Sequence, residues 1–181
     1  MDIKDLKVIA YTFARYSYQF DMNTPCYTSK AKIYGHESNC DHAMKCLVDD
    51  DYRVIKELAE KENWAHKYVD IDECSDESDY EIRGYDTKNH DNDFVVLYRY
   101  IAYPIFNSST NSFIYRGFVI SPVSCLDEKG ELKFKMKAVS DEYNIDLDVH
   151  DNINEVIDSI NHFLAYMNRY QEIINLKEEQ P

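Results

Sequence analysis

Apolar and polar positions divide the chain into unlike stretches. In residues 2–20 the apolar positions Ile3, Leu6, Ile9, Phe13, Tyr16 and Phe20 recur in steps of three and four, which trace one helical face. A strand over 8–20 competes with that reading, because tyrosine and phenylalanine crowd the segment. The helix is the expectation. A loop containing Pro25 and Gly35 follows, with a short strand at 31–34. Ser38 opens a helix through Val48. Asp49, Asp50 and Asp51 then offer cap and first-turn carboxylates to a second helix, since negative charge suits the positive end of a helix dipole. That helix carries Tyr52, Val54, Ile55, Leu58 and Ala59 and fades near Asn63, and a strand is expected at 64–69. Residues 70–93 are polar and acidic and read as a long loop, or as a seam between 1–69 and 94–181.

The second half is rich in strand signals. Residues 94–103 (FVVLYRYIAY) are β-branched and aromatic and end at Pro104; residues 113–121 (FIYRGFVIS) form a second run. In 131–139 (ELKFKMKAV), Leu132, Phe134 and Met136 point one way and Lys133, Lys135 and Lys137 the other. Asp127-Glu128-Lys129-Gly130 makes the turn before it, and 143–149 alternates on Tyr143, Ile145, Leu147 and Val149. Asn152 with Glu155 resembles a capping box opening a long helix. Its stripe of Ile153, Val156, Ile157, Ile160, Phe163, Leu164, Met167, Ile173 and Ile174 is wide enough to cover a sheet face, and beyond Met167 to make a dimer contact. The expectation is a single α+β domain, 1–181, with a helical N-terminal half and an antiparallel β-sheet of about four strands capped by the long C-terminal helix.

Composition narrows the function. Against 20 Lys and Arg stand 34 Asp and Glu, a net charge of −14 over 181 residues. Residues 1–90 hold 19 acids and 12 bases and residues 91–181 hold 15 and 8, so each half carries −7. Charge spread this evenly lies over the body of the fold, where it repels nucleic acid and anionic membrane and attracts basic surfaces. The four glycines (Gly35, Gly84, Gly117, Gly130) come no closer together than 13 positions, which excludes Gly-rich phosphate-binding loops. No run of 18 apolar residues exists. The charged start Met1-Asp2-Ile3-Lys4-Asp5 is unlike a signal peptide, and five cysteines are an odd number, so a reducing, cytoplasmic setting is expected.

Three clusters carry candidate chemistry. Cys26, His36, Cys40, His42 and Cys46 fall within 21 residues and offer the N and S ligands that zinc takes tetrahedrally, but without any Cys-x-x-Cys pair. Their plainer reading is small buried cysteines and surface histidines, with no cofactor. The stagger Asp70, Asp72, Cys74, Asp76, Ser78, Glu81 resembles an EF-hand loop, except that Ser75 stands where the turn calls for Gly and Cys74 is a poor calcium ligand. The same stretch places Asp70, Asp72, Glu73, Asp76, Glu77, Asp79 and Glu81, seven acids in twelve residues, beside Tyr80 and Tyr85. Either it is a solvated loop, or it is a contact surface whose carboxylates take the places of phosphates in a basic groove, with Asp49, Asp50 and Asp51 as a further patch. Tyrosine, 16 in all, gives large contact area with few rotamers. The lysine row at 133, 135 and 137 reads as an exposed face or a protected edge.

The expected function is a non-catalytic acidic binding protein. It would inhibit a protein with a basic nucleic-acid-binding groove by presenting a carboxylate-rich mimic of DNA or RNA. It would not bind nucleic acid or membrane itself, and it would be a monomer or homodimer. In composition the chain is similar to phage and mobile-element anti-defence proteins, such as acidic anti-CRISPR and antirestriction inhibitors. The alternatives are an immunity protein or antitoxin that neutralises a basic toxin, and a metal-dependent enzyme built on the Cys/His cluster.

Overall fold

The computed structural model describes residues 5–19, 22–62, 68–75, 78–85, 94–108 and 110–178. Among them strand outweighs helix, 46% against 32%. The elements run β1 (Val8–Gln19), β2 (Met22–Tyr27), α1 (Glu37–Lys61), β3 (Tyr68–Ser75), β4 (Ser78–Tyr85), β5 (Phe94–Asn107), β6 (Phe113–Tyr115), β7 (Phe118–Leu126), β8 (Leu132–Ser140), β9 (Ile145–Asp146) and α2 (Ile153–Glu178). All strands pair antiparallel in one nine-stranded sheet, and seven of them curl as a half-barrel. The expected helical N-terminal half and four-strand sheet are therefore wrong.

The error has a physical source. Strand β1 is covered on both faces. Its Ala10, Thr12, Ala14 and Tyr16 are buried on one side, while Phe13 packs with the opposite core. A strand sandwiched this way lacks a clean polar side, so its apolar positions fall at mixed parity and imitate helical steps. The stretch read as a loop, 70–93, likewise contributes most of β3 and β4, whose register runs from Tyr68↔Tyr85 to Ser75↔Ser78.

The two helices lie on opposite faces. On one side α1 sets Met44, Val48, Ile55 and Ala59 over Val69, Ile82, Leu97 and Tyr100. On the other, α2 sets Val156, Ile157, Ile160 and Leu164 over Ile105, Tyr115, Phe118, Ile120 and Ala138. Burying each large aliphatic or aromatic side chain contributes about 1.5–3 kcal/mol, so both faces are tied down by packing.

Helix α1 is continuous where two helices were expected. His36, not Ser38, is its N-cap and makes no side-chain cap bond, and Asp49, Asp50 and Asp51 sit in mid-helix. Packing of an apolar face, more than propensity, holds such a helix. Asp51 is also anchored: Arg15 reaches it at 2.6 Å and the Tyr100 hydroxyl donates to it at 2.8 Å. Burial first, and then the Asp51 charge, hold that hydroxyl protonated far above the usual tyrosine range.

The expected strand 113–121 is a hairpin. Arg116 (φ 49°) and Gly117 (φ 81°) form its two-residue turn between paired Tyr115 and Phe118. Positive φ at both positions is the I′ geometry that matches strand twist. The Arg116 guanidinium lies 4.3 Å from the Tyr103 ring and donates to Asn161 Oδ1 at 2.9 Å and to the Tyr16 hydroxyl. It thereby latches α2 to the sheet. The helix itself starts as expected: Glu155 N–H donates to Asn152 Oδ1 at 3.1 Å, and Asn152 Nδ2 returns a bond to Glu155 at 2.8 Å. The side chains of Ile173 and Ile174 lie outside the described set.

Candidate functional site

Strand β5 is the spine of the sheet, and its two edges differ. One edge pairs with β1 from Tyr98 to Phe106. The other is shared: β4 covers it from Phe94 to Tyr100, and β6 takes Phe106 and Asn107. Between them the edge forks, and among the described residues no strand pairs with 101–105 on that side. The fork is managed locally. Asp79 turns its carboxylate back to accept the Ala102 N–H at 2.6 Å, and Pro104, which has no N–H to leave unpaired, stands two residues on.

The first turns of α1 overhang this fork and enclose a cleft of about 670 Å³, lined by Tyr11, Glu37, Cys40, Asp41, Asp79 and Tyr103 among others. Glu37 and Asp41 are four residues apart and share a helix face. Among the described residues no Lys, Arg or His is in the lining. The field in the cleft is visible in its neighbours. Burial first, then the charges of Asp41, Asp79 and Glu37, push the Cys40 thiol up to about 11. The Tyr80 hydroxyl donates to Asp41 at 3.3 Å. Lys45, outside the lining, is held above its usual value chiefly by Glu73. Such a cleft has the chemistry to receive a cationic side chain.

The acidic run expected as a displayed surface is mostly tied internally. Asp72 meets Arg83 at 2.6 Å, and Glu73 lies 3.7 Å from Lys45. Glu81, 1% exposed, is gripped by Arg83 at 2.7 Å and Arg99 at 2.8 Å. Asp70 is exposed and accepts the neighbouring Ile71 N–H. Tyr80 is buried against α1, and Tyr85 is half-buried opposite Phe94. Asp76 and Glu77 lie outside the described residues. Asp49 and Asp50 are exposed on α1, with Arg53 at 3.2 Å from Asp50. The EF-hand reading is overturned, because β3 and β4 are paired strands and not a ligand loop.

The Cys/His cluster is dispersed. Cys26 sits half-buried on β2 opposite Ser17, His36 is exposed at the cap, and Cys40 is buried. Only His42 and Cys46 meet, one helical turn apart, with Sγ 3.9 Å from Nε2. Among the described residues no group of three or more His, Cys, Asp and Glu side chains is placed to hold a metal ion.

Sequence reasoning did not find Tyr11, Glu37 or Asp41 as site residues. The Glu37–Asp41 spacing was available, but Asp79 and the edge of β5 join them only through the fork. The chain matches no family model, no curated protein and no solved structure. No helix among the described residues is long and apolar enough to cross a membrane.

Proposed function

We propose that this chain is a non-catalytic acidic binding protein that docks on a basic protein through the cleft at the fork of β5. One observation carries the reading: a cleft of about 670 Å³ with Glu37, Asp41 and Asp79 in its wall and, among the described residues, no cationic side chain in its lining, on a chain of net charge −14. An arginine or lysine from a partner enters the cleft. The exposed carboxylates Asp49 and Asp50 farther along α1 extend the contact. The partner chemistry that fits is a groove built for nucleic acid, because its Lys and Arg side chains accept carboxylates in place of phosphates. Occupation of that groove excludes DNA or RNA by competition.

The test uses an oligo-arginine peptide as probe, with affinity measured by calorimetry. Wild type binds with a dissociation constant that rises steeply with salt. The Glu37→Gln, Asp41→Asn double variant binds roughly tenfold more weakly, about two exposed charge pairs' worth. Unchanged affinity in that variant, with binding still salt-sensitive, places the contact elsewhere and overturns the cleft assignment.

A further inference from the structure

The β7–β8 hairpin runs past the helix that covers its root. On the α2 side of the sheet its cross-strand pairs are Ile120↔Ala138, Pro122↔Met136, Ser124↔Phe134 and Leu126↔Leu132. The first pair is sealed beneath α2, with Ile120 and Ala138 fully buried. The same face then continues into solvent: Phe134 is 72% exposed, Leu126 69% and Leu132 62%. A ring and two leucines on one side of a paired ribbon form a rigid apolar knob, because the β register fixes which way they point.

A matching hole lies on the same face. Met136, one pleat from Phe134, is in the wall of a groove of about 440 Å³ whose other walls are Ile9, Ile33, Ile105, Phe113 and Ile153. Its polar neighbours are already engaged: Asp151 with Lys135 at 3.0 Å, and Asn152 in the cap of α2. The opening therefore asks for an apolar occupant.

Charge says which occupant. Residues 119–140 carry four lysines against three carboxylates, in a chain of net charge −14. Lys133, Lys135 and Lys137 are each neutralised by an aspartate, at 2.9, 3.0 and 2.7 Å. These lysines stand on the opposite side of β8 from Phe134, and the eight residues of the four facing pairs on the Phe134 side are all uncharged, so that side is a neutral patch on an otherwise negative body. A basic partner is drawn to the acidic cleft instead, whereas two copies of an acidic chain can approach without repulsion only where the surface is neutral. Knob and hole on one face, about 7 Å apart along β8, also allow a two-fold axis to fill both holes with both knobs.

We infer that the chain forms a two-fold homodimer in which Phe134 and its flanking leucines enter the Ile9–Met136–Ile153 groove of a second copy. This inference is independent of the acidic cleft and has the opposite salt dependence. Salt screens the mutual repulsion of the two bodies and leaves apolar contact intact, so it tightens the dimer while weakening cleft binding.

Sedimentation equilibrium on the full chain tests it. Wild type is dimeric at about 100 µM. Phe134→Ser and, separately, Ile9→Lys at the mouth of the groove each weaken association by at least about tenfold. An equimolar mixture of the two variants recovers a heterodimer, because the intact knob of the Ile9→Lys chain fits the intact hole of the Phe134→Ser chain. Both positions are at least 36% exposed, so circular dichroism should confirm folded variants. A monomeric wild type at that concentration overturns the proposal. So does undiminished dimerisation of Ile9→Lys, which means that the knob packs elsewhere.

Discussion

Two hairpin arms lie on the same side of β5, β3–β4 paired with it directly and β7–β8 joined to it through β6, and they treat their conspicuous residues in opposite ways. In the β3–β4 arm the sequence is acidic, yet Glu81 is buried between Arg83 and Arg99, and Asp72 and Asp79 are turned to Arg83 and the Ala102 amide, which leaves Asp70 and Glu73 at the surface. In the β7–β8 arm the sequence alternates apolar residues with lysine, yet the apolar side of its tip faces solvent. Charge in a sequence is thus no guide to charge on a surface, and an apolar stripe is no guide to a core. What decides is whether the element that could cover each arm reaches it. Helix α1 overlies the first arm, and α2 stops short of the tip of the second.

The sharpest way to break this contrast is to empty the arginine clasp. Glu81→Ala leaves Arg83 and Arg99 without the buried carboxylate between them and lowers unfolding free energy by about 3–5 kcal/mol in urea melts. A change below about 1 kcal/mol shows that the clasp belongs to the solvated surface after all. At the root of the second arm, Phe118 is fully buried beneath α2. Its replacement by alanine costs about 3–5 kcal/mol through lost burial and the cavity it leaves.

Asp51→Ala, which strips the Tyr100 hydroxyl of its acceptor and leaves the Arg15 guanidinium with its bonds to Thr28, is expected to cost about 1–3 kcal/mol. It should raise amide exchange in β1 and β5 before the β7–β8 arm responds. The cleft supplies a pH test. Because the folded Cys40 thiol titrates near 11, above its ordinary 9.0, its contribution is complete below pH 9 and is lost as pH rises through about 11. Wild type therefore loses stability relative to Cys40→Ala across that window in pH-resolved denaturant melts. A constant difference contradicts the acidic, buried setting of the thiol. The smallest effect is at the tip, where Phe134→Ser in dilute protein changes stability by no more than about 0.5 kcal/mol. A large loss there means the tip is covered in the monomer.

How much could be read beforehand follows the range of the forces involved. The helix α2 with its Asn152–Glu155 cap, the alternation of β8 and the turn at Asp127 were legible, because each is specified by residues a few positions apart. Asp127, for example, accepts the N–H groups of Lys129 and Glu131, both at 2.9 Å. The Arg116–Gly117 turn had a local signal too, a glycine between two apolar runs, but an arginine at positive φ concealed it. The acidic cleft was not legible. Glu37 and Asp41 meet Asp79 only because α1 crosses the point where β4 leaves β5.

By itself, then, the sequence determined the net charge, the absence of Gly-rich phosphate loops and those elements whose pattern is local and one-sided. The tertiary structure alone decided that β1 is a strand, that α1 runs unbroken through three aspartates, and which acids face inward. The reason is that a strand takes its partners and its covering layers from far along the chain. A pattern read along one segment cannot reveal that both of its faces are buried.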